Sequence, residues 1–235
     1  LGGPAGVRIT RIRDLAFEAP HPGCPPTCKW HGDMAALVGE HEGVTTRLDV
    51  LIEAEDDAGG TVWIGVEFKY TEPEYGACGG FASKGNDLPG RSACIDGHDR
   101  ERLCYLLHTS KRQYLLHRGL FASDPLKVAG PCPLLGSLNQ LYRSHSTVRA
   151  VAKARGGRAL FTVVRHERNT VLTAPERAVP GWPAPTLGPV DRYRGLLLPE
   201  YAAEVGDITV GEVLGAYGRE AGAAMWLEAL VARYG

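Results

Sequence analysis

Two runs of apolar and polar residues, Thr46 to Ala54 and Thr61 to Tyr70, flank the polar stretch Glu55 to Gly60 and predict a β-hairpin. In the second run Val62, Ile64, Val66, Phe68 and Tyr70 alternate with Trp63, Gly65, Glu67, Lys69 and Thr71, so period two assigns the first set to one apolar face. With the turn centred near Ala58, Gly65 stands opposite Leu51 and Asp49 opposite Glu67. Ser137-Leu-Asn-Gln140 has the form of a capping box and opens a helix whose Leu138, Leu141, Tyr142, His145 and Val148 face a core. Gly156 and Gly157 end that helix, and Arg158 to His166 reads as the next strand. Asp99 to Leu120 is predicted as a further helix, Thr209-Val-Gly-Glu212 as a second capping box, and Met225 to Val231 as the apolar side of a terminal helix.

The remaining segments lack a period. Leu1 to residue 28 is Gly- and Pro-rich and reads as an arm laid over the surface. Asp33 could cap a short helix running toward Glu40 and Glu42. Glu72 to Gly97 reads as a long loop bordering the second hairpin strand, and Thr173 to Pro189 as a proline-punctuated wrap. The division that results is an N-terminal arm over 1–28, a core over 29–170, and a wrap with a C-terminal helical extension over 171–235.

Chemistry enters with the hairpin. Two carboxylates opposed across antiparallel strands lie about 5 Å apart and repel unless something positive stands between them. For Asp49 and Glu67 a divalent cation held by oxygen ligands fits that need, with Lys69 beside it. The plainer alternative is a charged, solvated outer face.

The segment Val66-Glu-Phe-Lys-Tyr-Thr-Glu72, together with Asp49 on the preceding strand and Asn139-Gln-Leu-Tyr-Arg143 on the later helix, resembles the PD-(D/E)XK nuclease superfamily. Leu48 stands where the superfamily's name-giving proline would be. The resemblance implies a restriction-endonuclease-like α/β fold, an αβββαβ core with a mixed central sheet flanked by helices. It also implies a metal-dependent nuclease using Mg²⁺, with Mn²⁺ able to substitute, on DNA more than RNA. Asp49 and Glu67 would hold the cation and Lys69 would position water or offset phosphate charge, with Glu40 or Glu42, Gln140 and Arg143 as auxiliaries. Plainer roles for the last two are a helix cap and a surface ion pair. The alternative from another class is a catalytically silent nucleic-acid-binding or partner-binding protein on the same fold.

Charge distribution sharpens the picture where net charge, −1, does not. Asp33 to Tyr75 holds eleven acidic residues against two basic ones, and Asp99 to Arg168 thirteen basic against four acidic. An acidic centre beside a basic stretch suits a cation site next to a phosphate-tracking surface, for which Arg100, Lys111 and Arg112 are candidates. Cys24 and Cys28 form a loose pair, while Cys78, Cys94, Cys104 and Cys132 match no compact ligand spacing. Free thiols in a cytoplasmic, reducing compartment are the reading, with zinc or an iron-sulfur cluster the alternative. No apolar run is long enough to span a membrane.

Overall fold

The computed structural model describes residues 6–19, 37, 46–72, 75–76, 78–81, 83–108, 119–136, 138–173 and 186–217. They form an α/β structure around one five-stranded mixed sheet flanked by helices. The strands, β1 (Ile9–Ala19), β2 (Leu48–Asp56), β3 (Thr61–Lys69), β4 (Arg158–Arg165) and β5 (Val205–Thr209), lie in sequence order across the sheet. β1, β2 and β3 form an antiparallel meander, and β4 and β5 continue it in parallel. The hairpin has the register that its pattern predicts, Val50 facing Val66 and Leu51 facing Gly65. Asp56 fixes the turn by accepting from the amides of Ala58 at 3.1 Å and Gly60 at 2.7 Å.

Strand β1 corrects the reading of residues 1–28 as an arm, because Ile9–Ala19 within that segment is the sheet's edge. Its apolar residues are out of period two because the pairing with β2 shifts twice, between Ile9 and Arg11 and between Ile12 and Asp14. Arg11 and Arg13 on this strand mark it as a guarded edge. Since β1 comes first, the segment at Asp33 to Glu42 falls between β1 and β2 rather than ahead of the meander. Of that segment only Leu37 lies among the described residues, in helical conformation.

Crossing from β3 to its parallel neighbour β4 requires a long connection, and this one contains most of the helices. Within it lie α1 (Leu88–Asp96), α2 (Arg100–Leu103), α3 (Tyr105–His108) and α4 (Leu138–Arg155). Helix α1 occupies what reads in the sequence as loop. Asp87 caps it by accepting from the Gly90 amide at 2.9 Å, Pro89 sits in its first turn, and Gly97 closes it at φ 83°. The turn residues that suggested an irregular segment are its end signals. The helix expected over Asp99 to Leu120 is interrupted at Cys104, whose backbone is extended, and its later half lies outside the described residues.

Helix α4 packs on the sheet antiparallel to β3. Trp63 donates its indole N–H to the Gly156 carbonyl at 2.9 Å, Gly65 lies under Val148, and Glu67 meets Gln140 and Ser144. The contacts 140, 144 and 148 share one helical face. A Cβ at position 65 would collide with Val148, so the glycine is what allows helix and strand to approach. The main core, with Leu48, Leu51, Leu141, Tyr142, Val148 and Phe161, fills this side of the sheet. Val50, Val66 and Val164 pack on the other. The face carrying Trp63, Gly65, Glu67 and Lys69 is therefore the one under α4; on the apolar face Val62 and Val66 are buried as well, while Phe68 and Tyr70 are exposed.

Past β4 come α5 (Pro189–Leu196), α6 (Pro199–Ala202), β5 and α7 (Val210–Tyr217). The second capping box forms as its pattern predicts. Glu212 accepts from the Thr209 amide at 2.6 Å, and Thr209 Oγ1 accepts from the Glu212 amide at 3.1 Å. Most of the proline-rich wrap and the terminal helix from Met225 to Val231 lie outside the described residues.

Candidate active site

Glu67 and Lys69 sit at the C-terminal end of β3, side by side beneath the first turns of α4, and each is only about 5% exposed (4% and 5%). Burying a carboxylate and an ammonium together is unfavourable unless each finds partners. Lys69 Nζ lies 2.9 Å from Glu67 Oε1, and Gln140 Nε2 donates to the same oxygen at 2.5 Å. Ser144 Oγ stands 3.5 Å from Oε2, at the outer limit of a hydrogen bond. Burial pushes the Glu67 carboxyl above its ordinary range; Lys69 opposes the rise, while the charges of Asp49 and Glu72 add to it.

Asp49 reaches this centre from β2, by a route that differs from the simple ladder. The pairing of β2 with β3 reaches Val50 and Val66, one step short of placing Asp49 against Glu67. Leu48 and Leu51, three apart, both enter the core on the α4 side, so the alternation breaks between them. Asp49 sits at the break, and its Oδ2 accepts from the Phe68 amide at 2.6 Å. That bond ties one carboxylate oxygen to β3 between Glu67 and Lys69.

Gln140 Oε1 accepts from the Gly76 amide at 2.8 Å while the Gln140 backbone amide donates to the Gly76 carbonyl at 3.1 Å, so it joins α4 to the chain leaving β3 and orients Glu67 as well. Arg143 donates through Nε to Thr46 Oγ1 at 3.1 Å, which holds α4 over the entry to β2. Glu72 was outside the predicted set. Its Oε1 lies 3.8 Å from Lys69 Nζ and its Oε2 accepts from the amides of Tyr70 and Thr71 at 2.9 and 3.1 Å. Its position three residues after Lys69 and Ser144's position one turn after Gln140 are the only sequence signals for these two.

Arg100 does not belong here and is corrected as a phosphate contact. It is 1% exposed and is used up on backbone carbonyls, Ala93 at 3.0 Å, Pro125 at 2.7 Å, Val128 at 3.1 Å and Gly130. These bonds staple α1 to the 125–130 segment. Glu40, Glu42, Lys111 and Arg112 lie outside the described residues, as do Cys24 and Cys28.

Asp49 and Glu67 could together offer hard oxygen donors of the type that suits Mg²⁺, which takes one or two protein carboxylates and fills its shell with water and substrate oxygen, with Lys69 paired to Glu67. Among the described residues no group of three or more His, Cys, Asp or Glu converges in ligand geometry. Cys94, Cys104 and Cys132 are buried in the core; burial raises all three thiols, Cys94 and Cys132 to about 12. A cavity of about 1010 Å³, lined by Ser146, Arg149, Lys153 and Tyr201 among others, includes none of Asp49, Glu67 and Lys69.

No helix among the described residues is long and apolar enough to cross a membrane. Compared with family models, with curated proteins and with solved structures, the chain has no match in any of the three.

Proposed function

We propose that this protein is a metal-dependent phosphodiesterase of the PD-(D/E)XK type, a nuclease acting on DNA in preference to RNA, with Asp49, Glu67 and Lys69 as its catalytic residues. The observation that supports this reading above others is a buried Glu67–Lys69 pair, 2.9 Å apart, joined to Asp49 through the Phe68 amide. A solvated outer face would not hide these two side chains under a helix or give Glu67 a dedicated glutamine. The sheet order supports the same reading, since an antiparallel meander followed by a helical crossover to a parallel strand is the arrangement that the resemblance implies.

Asp49 and Glu67 would hold Mg²⁺ or Mn²⁺, and the cation when bound supplies charge against the phosphate and makes water more acidic. Asp49 is held in place by its bond to the strand, which leaves its second oxygen for a ligand. Gln140 fixes the rotation of Glu67, so that the carboxylate meets its ligand without reordering. Lys69 stands where it can offset charge that builds on the phosphate oxygens in an in-line displacement by water, or orient that water. The proton released leaves through solvent and the departing sugar oxygen is protonated in turn.

The test is incubation of the purified chain with labelled DNA and RNA in Mg²⁺ or Mn²⁺, beside Asp49→Asn and Lys69→Ala. Cleavage by the parent and none by the variants is expected. Equal traces from all three would assign the activity to a contaminant and remove the reading.

A further inference from the structure

The sheet face that carries Glu67 and Lys69 carries a second charged pair. Strands β3, β4 and β5 are parallel, and their registers set Glu67, Val163 and Asp207 in one row and Lys69, Arg165 and Thr209 in the next. Residues in register on neighbouring parallel strands share a face, and neighbouring strands are about 4.8 Å apart. Lys69 and Arg165 are therefore adjacent cations on that face, and Asp207 lies one strand further along. Arg165 donates through Nε to both carboxylate oxygens of Asp207, at 3.0 and 3.3 Å. Its Nη atoms have no hydrogen-bond partner among the described residues. The Arg165 side chain keeps 18% of its surface open.

Tyr75 lies near both pairs. The residue is fully buried, and its ring centroid is 5.9 Å from Lys69 Nζ. Burial and the charge of Asp207 push its phenol upward, Arg165 opposes them, and Glu67 adds to the rise, so all three charged groups lie within electrostatic reach of the hydroxyl. Yet that hydroxyl has no hydrogen-bond partner among the described residues. Buried polar groups are ordinarily paired, and an orphan at a charged centre points to a partner that comes from outside the chain. The groups with capacity to spare are a phenol hydroxyl and the Nη donors of an arginine beside Lys69. All of them donate, so the partner is an anion with several acceptor oxygens.

We propose that Tyr75 and Arg165 form the phosphate-holding half of this centre. The Tyr75 hydroxyl and the Arg165 Nη donors take non-bridging oxygens of the phosphate on which Lys69 acts, and Asp207 fixes the guanidinium for that contact. The proposal rests on the phosphodiesterase reading and extends it from β3 to β5. Because these contacts hold the phosphate before as well as during reaction, their loss weakens binding more than turnover.

Two measurements test it, both on the full chain with Tyr75→Phe and Arg165→Gln. The first is anisotropy of a fluorescein-labelled single-stranded oligonucleotide titrated in EDTA over a salt series. The second is KM and kcat for cleavage in Mg²⁺ or Mn²⁺. Both variants are expected to weaken binding and raise KM about tenfold with kcat within about threefold of the parent, and Arg165→Gln to reduce the salt slope by about one. Tyr75→Phe removes one oxygen from an isosteric ring and should keep the parent's Tm, which separates a contact with substrate from a structural role. If Tyr75→Phe binds and cuts as the parent does, or loses activity only in proportion to lost folding, the subsite is overturned while the phosphodiesterase reading stands. If the parent neither binds the oligonucleotide nor cleaves nucleic acid, the phosphodiesterase reading falls and the subsite with it.

Discussion

Helix α4 carries a polar network on each of two sides, and the two are finished to different degrees. On one side His145, wholly buried, has Tyr193 Oη 3.0 Å from Nδ1 and Glu204 Oε2 2.9 Å from Nε2. The other oxygen of Glu204 accepts from Arg149 at 2.5 Å, and the Arg149 guanidinium lies 3.9 Å from the Tyr201 ring centroid. Both imidazole nitrogens and both carboxylate oxygens have partners. On the other side Glu67 is pushed toward its neutral form, a second carboxylate is aimed nearby, and the Tyr75 hydroxyl is unpaired. A closed network rigidifies the protein, whereas an open one at similar depth marks a candidate site for chemistry. The contrast separates architecture from candidate chemistry without reference to any relative.

The sharpest way to break the comparison is Asp49→Asn. Asparagine can still accept from the Phe68 amide, so the fold should hold while cleavage drops at least about a hundredfold, on the scale of losing one transition-state stabilising group. A variant as active as the parent would show the open network to be ornamental. Glu204→Ala attacks the closed network and leaves a buried histidine and an arginine without their acceptor. Denaturant titration should show a loss of about 3 kcal/mol with activity per folded molecule unchanged.

Gln140→Ala comes next, since Gln140 anchors the site to both Gly76 and Glu67. Steady-state kinetics should show about tenfold lower kcat with KM little changed, the pattern of a group that orients a catalytic residue. Loss of folding with intact kcat would place it with the structural network instead. The smallest effect is on the pH dependence of stability. Burial holds His145 below its ordinary value of 6.5, outweighing the pull of Glu204. Its folded pKa is depressed, so its contribution is present above pH 6.5 and is lost as pH falls through the lower folded value. For Glu204 burial is outweighed by His145 and Arg149, so its contribution is lost further down, below its ordinary 4.5. Thermal melts should therefore fall as pH drops below 6.5 for the parent, and His145→Gln should flatten that limb.

The strands of the hairpin, helix α4, strand β4 and the Thr209 capping box could be read from the sequence because each rests on local signals: period, caps and glycine stops. The hairpin register as far as Val50 and Val66 follows from the turn alone, but the break in alternation that aims Asp49 does not. What the sequence concealed was whatever depended on pairing over distance. Bulges scrambled the period of β1, and α1 was hidden because Asp87, Pro89 and Gly97 signal loops and helix ends alike. That Glu67 and Lys69 lie on the face under α4 was also concealed, since Phe68 and Tyr70 make the opposite face look the more apolar. Tyr75 and the Arg165–Asp207 pair gave no pattern at all, because their place depends on how five strands line up.

Gly65 bears on more than packing. Any larger residue there would lift α4 off the strand at Val148, one turn from Ser144 and two from Gln140. Water would then enter above Glu67, and the carboxyl would regain the acidity of an ordinary surface glutamate. The absence of a side chain at one strand position thus acts as a humidity control for the whole centre.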